Sequence, residues 1–305
     1  MRTNSLIAML AATPLLVAAS PQPVRMQPSS GWVLDYAADS CKLSRAFGAG
    51  VDETVLQFES TAPGQMSMIV IGRPLRTTQE QVAAKFLPVG DEAIIGDVRL
   101  TVTQKPVVAW SDVPLLPASF TIRDAYKELQ RKAHPEVRPP SIDLKERDEA
   151  RAARQAFASA ARELEIDARR NRPVLLETGS LGAAIKMFDK CSRDSLRDWG
   201  VDPDLEDKIV RPVWAPDVSR WFSANDYPAG EAREGKESEV RVRLLVDAAG
   251  NVSKCTSLSH YEEPEFNRIV CDKFMKRAKF QPAELANGTK VSSYYINRVV
   301  FRLER

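Results

Sequence analysis

Glu239-Val240-Arg241-Val242-Arg243-Leu244-Leu245-Val246-Asp247-Ala248-Ala249-Gly250-Asn251 is the stretch on which the fold of the last third of this chain turns. Val240, Val242, Leu244 and Val246 alternate with Arg241, Arg243 and Leu245. That period of two gives a strand with one buried face. Turn chemistry follows, with Gly250 free to take positive φ and Asp247 and Asn251 able to bond local backbone. Residues 252–258 supply a second short strand and complete a hairpin. Pro264 suits the first turn of a helix, where its missing N–H is not needed. Phe266, Ile269, Val270 and Phe274 make that helix's apolar stripe. Residues 291–303 alternate again as a long closing strand.

This order of pieces resembles the C-terminal domain of TonB, the periplasmic end of a bacterial energy-transducing protein. The matching residues are Tyr227-Pro228 with Ala232 after it, 242–250, 277–283 ending in Pro282-Ala283, and 288–301. Each piece alone is a common pattern. The ordered set of Tyr-Pro, Asp-x-x-Gly, Phe-x-Pro-Ala and a terminal aromatic strand is far more specific. It covers roughly 80 residues, the size of a small domain.

In that family the last strand pairs with an extended peptide near the N-terminus of an outer-membrane transporter. An exposed strand edge offers unpaired N–H and C=O groups, which a peptide satisfies while side-chain pockets set register. The resemblance therefore implies a partner-binding site at Tyr227, Pro228, Tyr294, Ile296, Arg298, Val300 and Arg302. Tyr295, Val299, Phe301 and Leu303 would face inward. The implied partner is an outer-membrane TonB-dependent transporter or another envelope protein. One departure matters: Ala224, Asn225 and Asp226 stand where the family carries a peptide-holding glutamine before Tyr-Pro.

At 305 residues the chain can bury a sizeable core and is expected to hold two domains. A net charge of +2 is far from the basic excess of nucleic-acid binders, and no nucleic-acid partner is expected. Lys273, Lys276, Arg277 and Lys279 cluster on the late helix beside Glu262, Glu263, Glu265 and Asp272, which reads as a solvated face. Arg2 precedes an apolar stretch over 6–19, closed by the small residues Val17-Ala18-Ala19. This is the layout of a secretory signal peptide, residues 1–19, cleaved after Ala19. The stretch contains Pro14 and falls short of the roughly 20 residues of a spanning helix. The expected location is the periplasm. The rival is an uncleaved inner-membrane anchor facing the periplasm, the one case in which the membrane is a partner. No cysteine flanks the cleavage site, which argues against a lipoprotein.

Four cysteines fit an exported chain. Locality selects Cys255–Cys271, and Cys41–Cys191 follows as the remaining pair. With no close cysteine pairs and only His134 and His260, no metal site is expected.

Upstream, residues 21–30 read as a spacer and residues 31–200 as an α+β domain. Short strand-forming runs occupy 32–34, 54–58, 66–71, 98–102 and 173–177. Ser180 is placed as the cap of a helix bearing Leu181, Ile185, Phe188, Cys191 and Trp199, with Gly200 beyond its end. Residues 201–225, with Pro203, Pro212 and Pro216, read as a linker whose Trp214, Trp221 and Phe222 pack on something. The C-terminal domain takes 226–305. The fold class is α+β: a β-rich N-terminal domain with helices, then a β-hairpin, helix and long C-terminal strand. Residues 32–48 with 191–200 are also similar to the upstream domain of some secreted TonB-like proteins, which adds architecture and no activity.

One stretch points elsewhere. Residues 122–129 followed by Lys132-Ala133-His134-Pro135 resemble the second helix and loop of a DnaJ-type co-chaperone domain. Glu136 stands where that family carries aspartate. Pro114 and Pro117 interrupt the place of a first helix. The plainer reading is a helical insertion between two strands, its polar helix spanning 144–170.

Reaction chemistry does not assemble. Gly179-Ser180-Leu181-Gly182 lacks the glycine spacing of a hydrolase elbow. Ser259 and His260 are neighbours that would point apart in a strand. Asp247 has a hairpin role and no carboxylate partner. No phosphate-cradling loop or cofactor motif is present. The chain reads as a binding protein, not an enzyme: a periplasmic TonB-like protein capturing a partner by strand addition. The alternatives are an envelope scaffold without a transport role and an exported enzyme within 31–200.

Overall fold

The computed structural model describes residues 22–37, 39–90, 92–100, 105–117, 120, 141–168, 172–215, 218–258 and 264–303. The expected signal peptide over 1–19, the DnaJ-like stretch over 122–136, and His134, Ser259 and His260 lie outside them.

The N-terminal part is a ten-stranded sheet. Its strands are β1 (Val24–Met26), β2 (Val33–Tyr36), β3 (Cys41–Phe47), β4 (Thr54–Ser60), β5 (Ser67–Gly72), β6 (Gln81–Leu87), β7 (Ile94–Leu100) and β8 (Pro106–Trp110). After helix α1 (Leu144–Ala160) come β9 (Glu163–Ile166) and β10 (Val174–Leu176). The spatial order is β1-β10-β9-β6-β7-β8-β5-β4-β3-β2. Beyond β1 the chain meets β3, where Pro28 bridges Phe47 and the Ser29 N–H donates to the Ala46 carbonyl. The sheet thus curls until the chain beyond β1 reaches β3, which covers part of an edge that would otherwise template aggregation. Strict alternation drives the curl's interior: along β4, Thr54, Leu56, Phe58 and Ser60 are buried and their neighbours are not.

Helix α2 (Gly182–Asp198) lies against β3, with Ile185, Phe188, Cys191 and Leu196 buried. A disulfide joins Cys191 to Cys41. The helix ends in a Schellman motif. Gly200 takes φ +84°, its N–H donates to the Arg197 carbonyl, and the Val201 N–H donates to that of Leu196. At the other end the capping position belongs to Leu181, one residue later than expected. The Ser180 hydroxyl instead accepts from the Gly182 N–H and donates to the Ser159 carbonyl.

The C-terminal part follows with α3 (Pro203–Glu206), β11 (Ile209–Arg211), α4 (Ala229–Arg233), β12 (Ser238–Val246), β13 (Val252–Ser257), α5 (Pro264–Arg277), β14 (Ala283–Leu285), β15 (Lys290–Val291) and β16 (Ser293–Phe301). One antiparallel sheet has the order β13-β12-β16 and a second the order β11-β14-β15. In the first, Val240, Val242, Leu244 and Val246 form the inner face opposite Val299, Asn297, Tyr295 and Ser293. Phe266, Val270 and Phe274 of α5 fill that face, and Cys255–Cys271 ties α5 to β13. The turn is held by Asp247, whose carboxylate accepts from the N–H groups of Ala249 and Asn251, both at 2.9 Å. Gly250 has φ +83° and its carbonyl accepts from the Phe280 N–H. A Cβ there would lie 2.1 Å from the Phe280 carbonyl oxygen.

Several boundaries differ from the sequence reading. The helix expected over 144–170 ends at Ala160, because Glu163-Leu164-Glu165-Ile166 alternates and pairs with both β6 and β10. The spacer over 21–30 contains β1. The linker over 201–225 is largely structural: β11 pairs with β14, Trp214 bridges Gln281, and Trp221 packs on Phe274 and Phe280. The closing strand is broken at Ser292, where the chain passes from one small sheet to the other.

Candidate functional site

β16 lies at the edge of its sheet, and among the described residues it pairs only with β12. Along it, exposure rises from a buried start at Ser293 to exposed Arg298 and Val300, with Arg302 exposed just beyond. An unpaired edge of this kind is chemically a row of donors and acceptors waiting for another strand.

The outer face of the sheet is not open along its whole length. Arg243, 2% exposed, points out of the hairpin into the N-terminal part. Its guanidinium sits 3.5 Å from the centroid of Trp199 and pairs with Asp39 at 2.9 Å. It also donates to the carbonyls of Asp39 and Thr61. Burial pushes the pKa of this arginine down, and Asp39 pulls against that. Around it, Leu245, Tyr294 and Ile296 pack on Ala62, Leu196, Trp199 and Val201. Burial likewise pushes the Tyr294 phenol up. The Schellman end of α2 thus has a second role: it presents Trp199 and Val201 to the C-terminal sheet.

A second anchor lies under the entry to this region. The Asp226 side chain is 5% exposed, and Lys273 and Arg277 each reach it at 2.7 Å. Ser223 adds its N–H and hydroxyl. Burial opposes the charged form, but the hydrogen bonds from Lys273, Arg277 and Ser223 outweigh it and hold the carboxyl well below its usual range. The basic cluster is therefore not simply a solvated face, since two of its members grip a buried carboxylate. A depressed folded-state pKa gives stability that is full above the unfolded value of about 3.9 and fades as pH falls toward the folded one. Asp226→Asn is expected to cost about 2–3 kcal/mol at neutral pH. That gap to the parent should start to narrow below about pH 4 and shrink steadily as pH falls toward the folded-state value, and urea unfolding across pH checks it. A gap that persists undiminished at acid pH contradicts the charge-based account.

Residues 223–303 match the family model described as the Gram-negative bacterial TonB protein C-terminal. These residues are a TonB C-terminal domain. The TonB C-terminal domain is an interaction domain of the cell envelope, non-enzymatic in itself, and such domains bind outer-membrane proteins generally. No curated protein matches the chain. The match begins at Ser223, taking in the capping box in which the Ser223 side chain and the Asp226 carboxylate satisfy each other's backbone.

The residues expected at the partner site fall into three groups. Arg298, Val300 and Arg302 are exposed on the outer face of the β16 end. Tyr294 and Ile296, also on that face, are engaged by the N-terminal part. Tyr227 and Pro228 are inside the TonB C-terminal domain. The Tyr227 ring packs edge-on against Phe266 and Phe301, its hydroxyl donates to the Lys236 carbonyl, and Pro228 is buried. Asp226 turns inward to its cations and leaves Ala224 and Asn225 exposed before the Tyr-Pro pair. No helix among the described residues is long and apolar enough to cross a membrane.

Proposed function

We propose that this protein is a periplasmic TonB-like binding protein that captures an outer-membrane transporter, or another envelope protein, by adding the partner's extended segment to β16. The observation that carries this reading is the outer edge of β16, unpaired among the described residues, within a TonB C-terminal domain. Main-chain hydrogen bonds along such an edge supply affinity, and side chains on alternating faces supply register.

The docking of the N-terminal part through Arg243 and Trp199 favours a second reading, an envelope scaffold without a transport role, because it ties the domain to a folded body. Photocrosslinking separates the two. With a benzoylphenylalanine in place of Val300, ultraviolet irradiation of intact cells should capture a discrete adduct. Mass spectrometry should place the linked segment in an extended stretch near the N-terminus of a transporter. A different envelope protein at that position supports the scaffold. Absence of any adduct at Val300, with capture from an α5 or N-terminal position, overturns strand addition.

A further inference from the structure

β16 is walled on both faces at its start. On the outer face Tyr294 lies edge-on to Trp199 with ring centroids 5.8 Å apart, and its hydroxyl donates to the Pro63 carbonyl at 3.4 Å. On the inner face the Ser293 hydroxyl donates to the Glu206 carboxylate of α3 at 2.7 Å. The loop between β4 and β5, residues 61–66, extends the outer wall: Thr61 accepts from Arg243 and the Gln65 side chain from Arg241. A strand added to β16 would lie about 4.8 Å away and turn successive side chains to opposite faces. Beside the first residues of β16 those side chains would meet Trp199, Pro63 or α3. At the other end, past the level of Gln65, Val300 and Arg302 are exposed.

Charge on the open half points to what enters. Arg298 stands directly opposite Arg241 on the outer face, a pairing of like charges that destabilises a sheet. Glu239 reaches Arg298 at 3.3 Å, and Glu237 accepts from the Leu303 N–H. Arg302 follows Arg298 on the same face, with exposed Val300 between them. A strand on the free side of β16 would answer this face best with carboxylates level with Arg298 and Arg302 and an apolar side chain level with Val300.

We propose that the partner segment is a short acidic extended peptide, patterned acid-x-apolar-x-acid, confined to residues 297–303, the end of β16 and the two residues after it, by a wall that the N-terminal part builds. This rests on the strand-addition reading above. Two synthetic probes test it on the full-length protein: Ser-Glu-Thr-Val-Thr-Glu-Ser and its counterpart with lysine in place of glutamate. Amide hydrogen exchange of β16 is followed as each is added at low salt. The acidic probe should slow exchange over 297–303, leave 293–296 unchanged, and bind at least about fivefold more tightly than the lysine probe. Arg298→Glu should reverse that preference in a protein that still melts cooperatively as a folded chain. Protection spread evenly over 293–301 removes the wall, and equal binding of the probes removes the charge preference. Either result overturns this proposal and leaves strand addition standing. No protection by either probe anywhere on β16 overturns both.

Discussion

A proline on the free side of β16 is expected to abolish partner capture while the chain remains folded. In an antiparallel pair each residue turns its N–H and C=O to one side, and the next residue turns them to the other. Of the neighbours Val299 and Val300, one therefore bonds β12 and the other presents its groups to the free edge. Proline removes a donor and fixes φ near −65°, a change that edge strands tolerate on their solvent side and nowhere else. One of Val299→Pro and Val300→Pro should lower the melting temperature by breaking the β12 pairing. The other should melt like the parent and fail to pull its partner from an outer-membrane extract. Arg298→Ala should weaken capture only slightly, because side chains there tune an attachment that the main chain makes. If both proline variants fold and both bind like the parent, the edge is not the site. The contact would then move to the basic helix around Lys276 or to the N-terminal part.

The C-terminal fold is legible because its periods are clean. Val240 to Val246 alternates, Phe266, Val270 and Phe274 recur at helical spacing, and Gly250 sits where only a residue without a Cβ can approach Phe280. What surrounds the site was not legible, for a physical reason. Arg243 occupies the polar phase of a strand, and a period of two says only that it faces away from its own domain's core. Whether that far face meets water or another part of the chain depends on contacts 204 residues distant, such as Arg243 with Asp39. No local pattern encodes them. Trp199 carried a weak signal: it is the last apolar residue of its helix, just before Gly200, and a large ring at such an end needs somewhere to go. Asp226 carried another, as a carboxylate beside a Tyr-Pro pair with Lys273 and Arg277 one helical turn apart. The strand Glu163–Ile166 shows its alternation plainly, but the polar helix before it runs on without a glycine or proline to stop it.

Removing the Cys41–Cys191 bridge is expected to cost about 5 kcal/mol, against about 3 kcal/mol for Cys255–Cys271, because a bridge that closes a longer loop withdraws more entropy from the unfolded chain. The separations are 150 and 16 residues. Alanine at both members of each pair is the suitable replacement, since Cys41 and Cys191 are buried and serine would bring an extra hydroxyl inside. Equilibrium urea unfolding of the two double variants gives the comparison. The larger loss should also reach the candidate site. Cys191 fixes α2 to β3, and the end of α2 carries Trp199, on which Arg243 and Tyr294 rest. Without that bridge, amides over 293–296 should exchange faster, while the core of α5 around Val270, held by its own disulfide, should not. If the order of losses is reversed, or if exchange at 293–296 is unaffected, then α2 does not support the wall beside β16. The TonB C-terminal domain would then hold its outer face closed by the Arg243–Asp39 ion pair and the contacts of Arg241, Arg243 and Tyr294 with residues 61–66.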